Sequence, residues 1–220
     1  MIEGIIFDLD GVIVSTDECH YRAWKRMADE VNIFFDRAIN ERLRGVSRME
    51  SLEIILENSP KIYSSEEKIF LSDRKNRYYR EQIGNLSEDN ILPGVSELLT
   101  RCRRAGKKIA VGSSSKNTKL ILERIGLTEA FDAVVDGNDI VRSKPDPEVF
   151  LKAAQAIGVA PEQCLVVEDA ESGVQAGIAA GMRVLGVGSA SKCETATHHA
   201  VSLADEESDR LFSAVLSDRL

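Results

Sequence analysis

Short apolar runs recur along this chain, and polar or charged side chains stand close behind most of them. Five read as strands buried on both faces, because they are continuous rather than alternating. They are Gly4 to Phe7, Lys108 to Val111, Phe131 to Val135, Cys164 to Val167 and Arg183 to Val187. Ahead of and between the later four, apolar positions recur at helical spacing. Val95, Leu98, Leu99 and Cys102 form one stripe, and Leu120, Ile121, Leu122 and Ile125 another, with Gly126 as its C-terminal stop. Val149, Phe150, Ala153, Ala154 and Ile157 make a third, and Val174, Ile178 and the small residues between them a fourth. Strands alternating with helices predict an α/β protein with a doubly wound, Rossmann-like parallel sheet.

One segment breaks the rhythm. From Asp17 to Leu86 no strand pattern appears; polar, helix-rich stretches such as Asp17 to Val31 and Glu66 to Ile83 replace it. A segment of that length is too long for a simple loop. It predicts a helical cap domain over 16–87, inserted into a catalytic core made of 1–15 and 88–220. The tail after Gly188 is weakly patterned and supports no assignment.

Composition narrows the partners. The chain has 220 residues, 43% hydrophobic and 29% charged, which is enough to bury a sizeable core. Its net charge is -8 and it has no long basic run, so a nucleic-acid or anionic-membrane partner is not expected. No apolar stretch approaches the roughly 18 residues that span a bilayer. Cys19, Cys102, Cys164 and Cys193 have no metal-binding spacing and no secretory signal ahead of them. Free thiols in a reducing, cytoplasmic setting are therefore expected, in a monomer acting on a small molecule.

Four polar clusters follow apolar runs: Asp8 and Asp10, Ser113-Ser114-Ser115, Lys144-Pro145, and Glu168-Asp169. Parallel strands bring their carboxyl ends to one edge, so these clusters can converge. Together they supply what phosphoryl transfer needs. One carboxylate can attack phosphorus and another move protons; hydroxyls and amides can hold oxygens, a lysine can neutralise charge, and further acids can hold Mg²⁺. Each cluster also has a plainer reading. The serines could cap a helix, Lys144 could be a solvated loop lysine, and Glu168-Asp169 could cap a helix starting near Glu171.

The ordered set Asp8-x-Asp10-Gly11, Ser113, Lys144-Pro145 and Glu168-Asp169 resembles the haloacid dehalogenase superfamily of phosphotransferases, over essentially the whole chain up to Gly188. The resemblance implies that Asp8 becomes an aspartyl-phosphate and that Asp10 is general acid/base. It also implies that Ser113 and Lys144 hold the transferring group. Asp8, Glu168, Asp169 and the backbone carbonyl of Asp10 would hold Mg²⁺.

The cap segment carries His20, Trp24, Leu43-Arg44-Gly45-Val46-Ser47-Arg48, Ser51 and Lys75-Asn76, and the core adds Ser115-Lys116-Asn117. This combination resembles the mutases of that superfamily that convert β-glucose 1-phosphate to glucose 6-phosphate through β-glucose 1,6-bisphosphate. By resemblance Arg48, Ser115, Lys116 and Asn117 grip the phosphate that is not reacting. Thr16, His20, Trp24, Leu43, Gly45, Val46, Ser47, Ser51, Lys75 and Ser114 complete the substrate site. Trp24 has a plain alternative as a core residue, Lys75 as a solvated helix lysine, and Gly45-Val46 as a helix-ending turn. Ser15 stands where these mutases often carry an acid, and Ser114 where they carry a smaller residue. A sugar-phosphate phosphatase on the same scaffold is the nearest alternative, and a sugar-phosphate sensor without turnover a more distant one.

Overall fold

The computed structural model describes residues 1–217; residues 218–220 of the expected core lie outside the described residues. The chain opens with strand β1 (Gly4–Phe7), buried at every position. Four helices follow it: α1 (Asp17–Glu30), α2 (Arg37–Glu41), α3 (Arg48–Leu56) and α4 (Ser65–Ile83). The core then resumes with α5 (Val95–Arg104), β2 (Lys108–Gly112), α6 (Thr118–Arg124), β3 (Ala133–Val135), α7 (Glu148–Ile157) and β4 (Cys164–Glu168). It ends with α8 (Glu171–Ala179), β5 (Arg183–Gly186), β6 (His198–His199) and α9 (Glu206–Leu216).

The strands form one parallel sheet in the order β3-β2-β1-β4-β5-β6. The five expected strands are there, within two residues at each end. Strand β6 has no counterpart among the expected runs: two residues are too few to leave a hydrophobic period. The chain adds strands on one side of β1 and then returns to add β4 on the other. This reversal of direction opens a crevice at the carboxyl ends of β1 and β4, the usual ligand position in such sheets. Register makes the crevice chemical. Phe7 is level with Val111 and with Val167, so the next residues, Asp8, Gly112 and Glu168, emerge side by side.

Alternate side chains of each strand enter opposite layers. Ile5, Phe7, Val111, Leu165 and Val167 pack with Leu98, Leu99, Ile121 and Phe212 on one face. Ile6, Ala110, Val166 and Val184 pack with Val149, Phe150, Ala153 and Val174 on the other. Ile178 departs from the expected stripe. It is 39% exposed, because Gly173, Val174, Ala176 and Gly177 are the positions of α8 that face the sheet.

The inserted helices have a core of their own, with Trp24, Met27, Ala28, Phe35, Leu52, Ile55 and Leu71. Ala23, Tyr78, Tyr79 and Ile83 instead join the sheet's first layer, which seats α1 and α4 on the core. Ser47 and Ser64 start α3 and α4 with capping boxes closed by Glu50 and Glu67. All four cysteines are free thiols. Among the described residues no helix is long and apolar enough to cross a membrane.

Candidate active site

The acidic end of the crevice is built on the loop after β1. The Asp8 amide donates to the Val167 carbonyl at 2.9 Å, which fixes the start of the turn on β4. Gly11 then takes φ +79°, and a Cβ there would lie 2.1 Å from Asp169 Oδ2. Only glycine permits both the turn and that approach. Lys144 is 1% exposed and donates to Asp8 Oδ1 at 2.5 Å and to Glu168 Oε2 at 2.7 Å. Burial opposes the Lys144 ammonium, but Asp8 and then Glu168 outweigh it and hold its pKa above the ordinary lysine value. The Thr16 hydroxyl donates to Asp10.

Asp8, Glu168 and Asp169 bring carboxylate oxygens within 4.8 Å of one another, all of them buried. Burial, then Asp8, pushes Glu168 up to about 7. Burial, then Glu168 and Asp8, pushes Asp169 up to about 9, with Arg44 pulling the other way. Crowded hard oxygen ligands with this much mutual repulsion suit a small divalent cation, which would let all three ionise together. Asp10 stands apart from the group. Burial and then the Asp8 charge raise it to about 7, against the pull of Thr16. A carboxyl poised near neutrality can take and return a proton.

The other end of the crevice is basic. A cleft of about 520 Å³ runs from Asp8, Asp10, Ser113 and Lys144 to Arg48, Lys75 and Lys116. Among the described residues, none of those last three cations has an ion pair within 4 Å. Lys75 is 2% exposed, and its Nζ lies at hydrogen-bond distance from His20 Nδ1, 2.9 Å. Burial and then Arg48 push Lys75 well below the ordinary lysine range. Burial, then Lys75 and Arg48, does the same to His20. Nζ of Lys75 also sits over the rings of Trp24 (4.7 Å) and Tyr79 (4.5 Å). Of the three cations, Lys75 is buried, Arg48 half-buried and Lys116 exposed, and like-signed groups crowded there without a carboxylate favour an anionic ligand.

Most expected site residues line this one cleft: Asp8, Asp10, His20, Trp24, Leu43, Gly45, Val46, Ser47, Arg48, Lys75, Ser113, Ser114, Ser115, Lys116, Asn117, Lys144 and Asp169. Three do not. Thr16 is fully buried behind Asp10, Ser51 is buried on α3, and Glu168 sits behind Lys144. The plainer readings also resolve. The N-cap of α6 is Asn117, and that of α8 is Ala170, neither with a side-chain cap. Glu168 does accept from the Asp169 and Ala170 amides while it holds Lys144. Trp24 is both core and wall, at 1% exposure. Ser47 faces the cleft, yet its oxygen accepts from the Glu50 amide.

Sequence reasoning passed over Arg44, Asp17, Asp73 and Tyr79. Arg44, Asp17 and Asp73 line the cleft, and the Tyr79 ring lies 4.1 Å from His20, centroid to centroid. An arginine beside Gly45-Val46 looks like any surface arginine until the opposing Asp169 is in place.

The geometry agrees with the comparisons. A family model described as haloacid dehalogenase-like hydrolase matches residues 2–181. The chain belongs to the haloacid dehalogenase-like hydrolase family. Within this family, β-phosphoglucomutase of Bacillus subtilis is 44% identical over 189 residues, covering 85% of this chain and 84% of that relative. A crystal structure of β-phosphoglucomutase from Clostridium difficile superposes with a TM-score of 0.92 at 37% identity, covering 99% of this chain and 98% of that one. Haloacid dehalogenase-like phosphatases match as well. The phosphorylated carbohydrates phosphatase of Thermotoga maritima is 32% identical, over 84% of this chain and 85% of its own.

Proposed function

We propose that this chain is a Mg²⁺-dependent phosphomutase that interconverts β-D-glucose 1-phosphate and glucose 6-phosphate. The observation that carries the reading is the polarity of the cleft. Its acidic end pairs a carboxylate triad with Lys144, and its basic end presents Arg48, Lys75 and Lys116 without carboxylate partners. A ligand with a phosphate at each end satisfies both.

Asp8 carries the phosphoryl group as an aspartyl-phosphate. The C6 hydroxyl of β-glucose 1-phosphate attacks phosphorus; the P–O bond to Asp8 breaks as the bond to O6 forms, and Asp10 takes the hydroxyl proton. The β-glucose 1,6-bisphosphate turns end for end. Asp8 then attacks the 1-phosphate, Asp10 returns its proton to O1, and glucose 6-phosphate leaves. A divalent cation on Asp8, Glu168, Asp169 and the Asp10 carbonyl would supply charge neutralisation at the phosphoryl oxygens. Ser113, Ser114 and Lys144 hold the reacting phosphoryl group. Arg48, Ser115, Lys116 and Asn117 hold the idle phosphate, where a forked guanidinium suits two oxygens. His20, Trp24, Leu43, Gly45, Val46 and Lys75 surround the sugar. Thr16 orients Asp10, and Ser47 and Ser51 support the Arg48 helix. Residues 16–87 act as a cap that excludes water, over a core of 1–15 and 88–220, in a cytoplasmic monomer.

The second reading is a sugar-phosphate phosphatase, favoured by the Thermotoga relative. Phosphorus NMR separates the two. With Mg²⁺ and a trace of bisphosphate, β-glucose 1-phosphate converts to glucose 6-phosphate without free phosphate. Stoichiometric release of inorganic phosphate would establish the phosphatase instead.

A further inference from the structure

Arg44 stands at a junction of three parts of the chain. Its Nε lies 2.8 Å from Glu41 on α2, one terminal nitrogen 2.6 Å from Asp17 at the start of α1, and the other 3.3 Å from Asp169 Oδ2 on the core. Its backbone is held across the same boundary, since the Ser172 hydroxyl donates to the Arg44 carbonyl at 3.4 Å. Gly45 then lies so close to α8 that a Cβ would fall 2.2 Å from Ser172 Oγ. The loop between α2 and α3 is thus seated on the core by a hydrogen bond, a close packing contact and one ion pair. The core partner of that ion pair is a member of the carboxylate triad.

We infer that Arg44 is a positioning residue that couples the filling of the acidic triad to the seating of the cap loop. This rests on the reading of Asp8, Glu168 and Asp169 as a divalent-cation cradle. With the cradle empty, the guanidinium is the cationic partner that Asp169 has from the cap. A divalent cation at the same carboxylate and the Arg44 charge repel one another. Arg44 therefore weakens cation binding to the sugar-free protein, and the cation in turn loosens the Arg44 tether to Asp169. The two effects are one coupling seen from two sides, and must be equal. An anionic substrate in the cleft adds negative charge between the two cations and lets them coexist, so the loop reseats when the cleft is loaded.

The test is calorimetric titration of MgCl₂ into the sugar-free protein, for the wild type, R44M and R44K. R44M binds Mg²⁺ roughly tenfold tighter, as removal of one like charge a few ångströms away requires. R44K keeps the charge and stays within about twofold of the wild type. In steady-state assays with saturating Mg²⁺, R44M raises the KM for β-glucose 1-phosphate more than it lowers kcat, and R44K recovers part of the loss. Mg²⁺ binding by R44M that is unchanged or weaker overturns the coupling. Wild-type protein that binds no Mg²⁺ overturns the cradle itself, which is a separate outcome. If R44M melts below the assay temperature, R44Q carries the same comparison with a polar head in the loop.

Discussion

Lys144 shows how much one side chain can decide. It lies between Asp8 and Glu168 at 2.5 and 2.7 Å, in a place with almost no access to water. Two carboxylates there repel one another strongly unless a cation separates them. K144M, close to isosteric, removes that cation and leaves the acids buried. It should lose about 3–5 kcal/mol of stability. Urea unfolding in the presence of a chelator measures this, and a loss below about 1 kcal/mol would show that the acids are not both ionised around the lysine. The residue types that carry the chemistry could be read from the chain, because carboxylates, serines and a lysine behind apolar runs are a restrictive pattern. Their division of labour could not. Asp8 is buried and Asp10 half-buried, and they differ by partner, with Lys144 on one and the Thr16 hydroxyl on the other.

The segment between β3 and α7 delivers Lys144, and its anchor is the first residue of the helix. Glu148 accepts from the Val141 and Arg142 amides at 3.1 and 2.8 Å and pairs with Lys152 at 2.7 Å. Its hydrogen bond with Lys152, and then that with the Arg142 amide, lowers its pKa to about 2. The folded protein therefore binds this proton less readily than the unfolded chain. The stability it contributes is present above the unfolded value, 4.5, and drains away as the pH falls towards about 2. E148Q should melt below the wild type at pH 7 and by the same margin at pH 5.5, and the two curves should converge below pH 4.5. Melting curves that stay equally separated at pH 3 would contradict the charge's role. Strand β6 and helix α9 make the complementary point. Both lie in a stretch whose apolar spacing is too sparse to read, and backbone pairing to β5 and an Asp205 cap define them instead.

At the level of the complete fold, the two ends of the cleft are joined by contacts between the inserted helices and the sheet. Asn117 donates to Asn76 across the basic end at 2.9 Å, while Arg44 reaches Asp169 at the acidic end. Arg48 belongs to the inserted part, so its work is separable from the chemistry at Asp8. R48A should reduce turnover of β-glucose 1-phosphate roughly 10- to 100-fold, the worth of a charge-assisted phosphate contact. Cleavage of a small phosphate ester, too short to span the cleft, should fall by a smaller factor. Parallel assays of both substrates test this, and equal losses would favour the phosphatase. The helical insert itself could be anticipated, because a long segment with helical spacing and no strand pattern has to satisfy its backbone within helices. How it faces the sheet could not, because the contacts that orient it join residues far apart in the chain.

The spacing of apolar residues was enough to establish five strands of the parallel sheet and the helices before and between the later four, and the residue types behind the first strand marked its acidic turn. These depend on neighbours a few positions apart, where burial imposes regular spacing. The convergence of Asp8, Lys144, Glu168 and Asp169, the unpaired cations opposite them and the three-way grip on Arg44 depended on folding. Charges separated by more than a hundred positions act on one another only once register and packing bring them within a few ångströms and take the water away.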